Sequence, residues 1–182
     1  MKKVSTGIIV GSLRKESYNL KLAKSIAYIG QKECDFKFIS IEKLPLYNQD
    51  DDDDVSTVKQ FKNQISTCES LIFVTPEYNR SIPGVLKNAL DHGSRPPGEN
   101  SWTNKPAGII GASIGSIGTA LAQQHLRTIL ASLNMPTLCK PEIYIHATKD
   151  FFDEQGKIKN EENLAIIEKW FSFYLNWAKK FI

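Results

Sequence analysis

The sequence predicts an α/β fold in which a five-stranded parallel sheet carries helices on both faces. Apolar runs of strand length alternate five times with segments whose apolar residues recur at helical spacing, the pattern of successive βαβ units. The clearest inner run, Leu71-Ile-Phe-Val74, is apolar without alternation, as a strand covered on both faces should be. The turns after the first, third and fourth runs are rich in glycine, hydroxyls or both. In parallel sheets ligands bind beyond the carboxyl ends of the strands, where those turns lie.

The first strand is read at Val4–Val10. A first helix follows over about 17–30, with Leu20, Ala23, Ile26 and Ala27 on one face and Gly30 as its stop. The second strand is read at 36–41. Val55, Val58, Phe61 and Ile65 line one face of a second helix. After the third strand, 71–74, a third helix is expected from Pro83, a residue suited to a first helical position, to Gly93, with Ser81 as its cap. Residues 107–111 form a fourth strand. Leu121, Leu126, Ile129, Leu130 and Leu133 mark a fourth helix, a fifth strand lies within 136–147, and a long last helix spans about 161–181. No internal repeat or linker divides the 182 residues, so 1–182 is read as one domain.

Composition excludes several classes. With 41% hydrophobic and 24% charged residues the chain is ordinary for a globular protein. The formal charge of +3 comes from scattered residues, not from the dense basic arm or stripe of a nucleic-acid binder. Cys34, Cys68 and Cys139 form no C-x-x-C pair. Neither a disulfide framework nor a zinc site is expected, and a reducing, cytoplasmic setting is. No stretch is long enough to span a bilayer. The aspartate run 50–54 lacks the spaced ligands and turn glycine of a calcium loop and reads as solvated acid before a helix. Residues 150–156 read as a turn at Gly156, and His92, His125 and His146 have no metal-ligand spacing. No metal is expected.

Three loops carry the functional signal. Residues 11–19, G-S-L-R-K-E-S-Y-N, join the first strand to the first helix. A helix start offers unpaired backbone N–H groups at the positive end of its dipole. Ser12, Ser17 and Asn19 add side-chain donors, and Arg14 adds a cationic fork suited to phosphate oxygens. The turn has neither G-x-x-x-x-G-K-[ST] nor G-x-G-x-x-G spacing, so it is not a triphosphate loop or a dinucleotide fingerprint. The plain alternative is a helix start capped by Ser17. In 75–84, T-P-E-Y-N-R-S-I-P-G, two prolines stiffen a segment facing the ligand crevice. Tyr78 has a ring to lie beside a flat aromatic ligand, and Asn79 has donors and acceptors for a heterocycle edge. Its plain reading is a loop with Glu77 solvated. In 111–118, G-A-S-I-G-S-I-G, glycines allow close approach to the backbone and Ser113 offers a hydrogen bond.

Together the loops resemble those of the NAD(P)H-dependent FMN reductases of flavodoxin-like fold, which include quinone, azo-dye and chromate reductases. The resemblance runs to about Glu142. It rests on the 11–19 motif, P-E-Y-N-R-S-I-P-G at 76–84, L-K-N-A-L-D at 86–91 and S-R-P at 94–96. It implies a flavodoxin-like three-layer sandwich with strand order 2-1-3-4-5. It implies that Ser12, Arg14, Ser17 and Asn19 hold the FMN phosphate. Pro76, Glu77, Tyr78 and Asn79 would border the isoalloxazine, largely through backbone groups, and Ser113 and Gly115 would make the third contact. His92 stands where several relatives carry tryptophan.

The implied activity is hydride transfer from NADPH or NADH to FMN, then electron transfer to a small molecule. That acceptor would be a quinone, an azo or nitro compound, a metal oxyanion or free flavin. The flavin carries the chemistry, so no catalytic nucleophile or dyad is expected. Arg80 and Arg95 are candidates for binding and steering anionic substrates. The resemblance also implies a homodimer or homotetramer, with Arg127 and Glu142 as candidate interface charges. Trp170 and Trp177, with Ile166 and Phe173, form a second apolar stripe on the last helix, read as core or as subunit contact. The alternative function is a flavodoxin-type electron carrier without a pyridine-nucleotide site. Such carriers are typically acidic, against an isoelectric point near 8.7. A third reading is a binding or sensor module that has kept the fold.

Overall fold

The computed structural model describes residues 2–51 and 55–182. In chain order these form β1 (Val4–Val10), α1 (Tyr18–Gly30), β2 (Cys34–Phe38), α2 (Ser56–Ser66), β3 (Ser70–Val74) and α3 (Gly84–Ser94). Then come β4 (Ala107–Ser113), α4 (Ala120–Ser132), β5 (Tyr144–His146) and α5 (Glu161–Ala178). All strand pairs are parallel, in the order β2-β1-β3-β4-β5. The order reverses between β1 and β3, which opens a crevice beyond their carboxyl ends.

Successive strand residues point to opposite faces, and here both faces are covered. Ile8, Ile72, Val74 and Ile110 pack on Leu22, Ala23 and Ile26 of α1 and on Ile167, Trp170, Phe171 and Tyr174 of α5. Their neighbours Ile9, Leu71, Phe73 and Ile109 pack on Phe61 and Ile65 of α2, Leu86 and Leu90 of α3, Leu126 and Leu130 of α4, and Trp102. That is why the inner strands read as unbroken apolar runs. Two polar atoms of large core side chains are paired: Tyr174 donates its hydroxyl to Leu71 O at 3.1 Å, and Trp102 Nε1 donates to Leu90 O at 2.9 Å. Trp170 is core, Trp177 is partly buried, and Ile166 and Phe173 are exposed.

Several boundaries differ from the sequence reading. β2 pairs with β1 from Val4–Cys34 to Ile8–Phe38. Ile39 N still donates to Ile8 O at 2.9 Å, and Ile39 and Ile41 are buried beyond the strand's end, so their apolar signal marked core. α1 does end at Gly30 as expected, and a Cβ there would lie 2.2 Å from the Phe171 ring. Ser81 does not cap α3, which begins after Pro83. The fifth strand shrinks to three residues, preceded by a single bridge between Ala107 and Thr137. The expected turn at Gly156 forms, with Asp153 Oδ1 accepting from Lys157 N at 2.8 Å and Gly156 at φ +80°. Of the aspartate run, residues 52–54 lie outside the described residues. Among the described residues no helix is long and apolar enough to cross a membrane, and no cluster of His, Cys, Asp or Glu is placed to hold a metal ion.

Candidate functional site

The loop after β1 stays tied to the sheet by Gly11 N, which donates to Val74 O at 2.9 Å. Ser17 is the N-cap of α1, with extended backbone, and its Oγ accepts from Leu20 N at 3.3 Å. The backbone N–H groups of Tyr18 and Asn19, the first two helical positions, have no acceptor among the described residues and face outward from the helix start. Arg14 is exposed, and its N–H donates to Ser12 Oγ at 3.3 Å.

Asn19 lines the crevice and is also held by the sheet. Its buried side chain donates from Nδ2 to Ala112 O at 2.8 Å and accepts from Ala112 N at Oδ1 at 2.9 Å. Ile110 O, two residues earlier on β4, accepts from Thr75 N on the β3 side, so Ala112 presents the same edge after β3 has ended. The side-chain amide substitutes for a missing strand. It pins the start of α1 to the end of β4.

The loop after β3 contains a two-residue hairpin. Tyr78 and Ser81 exchange backbone bonds of 2.9 and 3.0 Å, and Asn79 and Arg80 lie between them at φ 51° and 66°. Positive φ at both central residues defines a type I′ turn. Asparagine tolerates it, whereas arginine there costs about 1–2 kcal/mol. Outside bonds hold the turn. Ser81 Oγ and His125 Nδ1 of α4 are 2.7 Å apart. Glu77 is not solvated: its side chain is 7% exposed. Its Oε2 accepts from Leu121 N at 3.0 Å and Ala122 N at 3.1 Å, in the first turn of α4, and Arg80 Nη1 is 3.4 Å from Oε1.

The loop after β4 folds on itself through Gly115 N donating to Ser113 Oγ at 3.2 Å and Gly118 N donating to Gly115 O at 2.9 Å. His146 Nε2 lies 3.1 Å from Ile114 O. Below it, Gly111 is required by close packing, since a Cβ would come within 2.1 Å of Thr75 O.

Two adjoining cavities result. One, of about 240 Å³, is bordered by Ser12, Arg14, Ser17, Asn19, Pro76 and Tyr78. The other, of about 360 Å³, is bordered by Asn79, Arg80 and Gly115 through Gly118. Glu77, Ser113 and Ile114 belong to both. All ten residues expected to bind cofactor therefore line this slot of two adjoining cavities, and Arg80 lines it with them. Among the described residues Glu77 is the only carboxylate in its walls, and it is bound to α4. Exposed Leu13, Tyr78, Ile114, Ile117 and Leu121 lie on these loops and the first turn of α4. A larger cavity, about 540 Å³, lies on the outer side of α1 against residues 154–158. It holds none of the expected cofactor residues, so size does not select the site.

Arg95 is not brought to the slot. α3 returns antiparallel to the strands, and Arg95 beyond its end borders a separate cavity with Lys62 of α2. His92 is also elsewhere, buried with Nε2 2.9 Å from Pro45 O and its ring edge-on to Tyr47. Arg127 and Glu142 pair with each other within the chain at 3.3 Å. The sequence reading missed Tyr18, Ala112, Ile114 and Ile117 as wall residues; only their place in the loops marked them.

The chemistry of this slot is asymmetric. At one end, hydroxyls, two free helix-start N–H groups and Arg14 suit a phosphate. At the other, the small residues Ser113, Gly115, Ser116 and Gly118 with Ile114 and Ile117 suit an aromatic ring. Residues 4–150 match the family model described as NADPH-dependent FMN reductase. The chain belongs to the NADPH-dependent FMN reductase family. It is 44% identical to a 2-hydroxy-1,4-benzoquinone reductase of Burkholderia over 94% of each chain. It is 38% identical to an NAD(P)H-dependent FMN reductase of Pseudomonas aeruginosa, again over 94% of each. Among solved structures, the flavoenzyme FerB, an NAD(P)H:(acceptor) oxidoreductase of Paracoccus denitrificans, superimposes with a TM-score of 0.92 at 36% identity, covering 97% of this chain and 98% of that one. This FMN reductase is thus an oxidoreductase of flavodoxin-like fold whose family uses FMN with NAD(P)H.

Proposed function

We propose that this FMN reductase passes electrons from NAD(P)H through bound FMN to small quinones. The observation that carries the reading is the adjacency of the two cavities, which share Glu77, Ser113 and Ile114, one beside the hydroxyls and helix start of α1 and the other bordered by glycines, Ile114 and Ile117. In this reading the N–H groups of Tyr18 and Asn19, the hydroxyls of Ser12 and Ser17, and Arg14 hold the phosphate. The Asn19 side chain contributes by fixing that turn to β4. Pro76 to Asn79 border one side of the ring, and Ser113 with Gly115 the other. Bound flavin supplies the hydride acceptance and release. The protein fixes its position, keeps one ring face open and places backbone donors near the charge that develops on reduction. Tyr78, Ile114 and Ile117 offer apolar contact to a nicotinamide and then to a quinone, and Arg80 steers the anionic donor.

The quinone assignment is supported by the apolar residues around the slot and by relatives named for quinone reduction at 44% and 38% identity. Azo and nitro compounds, metal oxyanions and free flavin are the competing acceptors for an open-faced flavin. The same reading includes a cytoplasmic homodimer or homotetramer. Exposed Ile166, Phe173, Phe181 and Ile182 support subunit contact, which light scattering measures directly.

Anaerobic rapid mixing tests the proposal. NADPH or NADH should bleach the flavin band of the purified holoprotein, a benzoquinone should restore it, and steady-state double-reciprocal plots should be parallel. A flavin that binds but is not bleached would support the flavodoxin-type carrier instead. Bleaching that a benzoquinone fails to reverse, while a nitro compound or free flavin does, would remove the quinone assignment.

A further inference from the structure

Glu77 is unusual among the slot residues because, among the described residues, it is the sole carboxylate in the walls, and it is 7% exposed. α4 has no acidic residue in its first turn, and Thr119 makes no side-chain cap bond. The helix is capped instead from 44 residues away, by Glu77 Oε2 at 3.0 and 3.1 Å. A helix start carries roughly half a positive charge, and Arg80 adds a full one 3.4 Å from Oε1. The carboxylate therefore cancels most of the positive charge gathered beside the ring end of the slot.

We propose that Glu77 is a positioning residue that also sets the reduction potential of the bound flavin. This rests on the reading that FMN occupies the slot. Geometrically, Glu77 joins the loop after β3 to α4, so both walls move as one body, and the bond between Ser81 and His125 reinforces the joint. Electrostatically, its negative charge opposes the negative charge that the flavin gains on reduction. The bound cofactor is thereby kept a stronger electron donor than the helix start and Arg80 alone would leave it.

The test compares the FMN-loaded wild type with Glu77→Gln and Arg80→Gln by equilibration against a reference redox dye. Glu77→Gln keeps the side-chain shape and one acceptor but removes the charge. It should favour the reduced flavin by about tenfold, a rise of about 30 mV for a two-electron couple. Arg80→Gln should shift the potential the opposite way. A purely structural role would weaken FMN binding in Glu77→Gln without raising the potential, and that result overturns the proposal. Shifts of the same sign in both variants overturn it as well. If Glu77→Gln does not fold, the sign of the Arg80→Gln shift decides alone. Failure of the underlying reading is distinguishable, because wild-type protein would then take up no FMN.

Discussion

Replacing Asn19 with alanine removes two buried hydrogen bonds and leaves both partners unsatisfied. The Ala112 N–H and C=O face the position where β3 has already ended, so no strand residue takes over when the amide is lost. An unsatisfied buried backbone group costs about 1–3 kcal/mol. Alanine recovers about 0.6 kcal/mol as the better helix former. The net expectation is a loss of about 3 kcal/mol, or about 6–12 °C in Tm for a chain of this size. Urea unfolding followed by circular dichroism measures it, with FMN titration reporting whether the phosphate turn loosens in parallel. A loss below about 1 kcal/mol would refute the idea that the amide replaces a strand.

The isosteric change Asn19→Asp gives a second signature. An aspartate can accept from Ala112 N when ionised, but it must be protonated to donate to Ala112 O. Its folded pKa is therefore raised above the unfolded value of about 3.9. The stabilisation should be present below that value and be lost as pH rises through the raised one.

The remaining predictions concern separate parts of the molecule. Arg14→Ala should weaken FMN binding by about 10- to 100-fold, the worth of a charge-assisted bond to phosphate, with the apoprotein melting unchanged because the side chain is exposed; fluorescence titration and a thermal scan separate the two. Gly111→Ala drives a Cβ to within 2.1 Å of Thr75 O, and a shift of backbone should cost about 3 kcal/mol, read as a lower urea midpoint. Burial pushes the thiols of Cys34 and Cys68 above their ordinary value of 9.0. Groups with a raised folded pKa stabilise fully below the unfolded value and lose that contribution as pH climbs through the folded one. Stability should accordingly fall above about pH 9.0. Burial depresses Lys105 and works in the opposite direction, so the comparison is wild type against a Cys34→Ala/Cys68→Ala variant. Parallel pH profiles for the two would sink the assignment.

What was legible in the sequence was what is local or periodic. Leu71 to Val74 announces a buried strand, Ser17 a cap, and the three loop compositions a crevice between them. The partners that bind those loops to one another were not legible. Asn19 finds Ala112 across 93 residues, and Glu77 finds the start of α4 across 44. Asparagine in a helix start looks like a ligand donor, and glutamate in a loop looks solvated, until the fold brings an unpaired backbone group beside each. Arg95 fails for the same reason in reverse: it follows a motif that borders the slot, but its helix carries it away. β5 left little signal because an edge strand of three residues with exposed Tyr144 and His146 need not be apolar.

The two outer strands have a consequence for how copies of this chain can meet. A sheet edge with free N–H and C=O groups invites another strand, and stable proteins blunt that invitation. Here β2 carries exposed Asp35 and Lys37, with Asp35 3.6 Å from Lys3. β5 offers only three residues, three positions after Pro141. Neither border provides a long, flat, apolar template, so growth into a continuous sheet across molecules is disfavoured at both ends. Association is left to helix surfaces, where α5 exposes Ile166 and Phe173. Contacts of that kind can close into a finite assembly without adding strands.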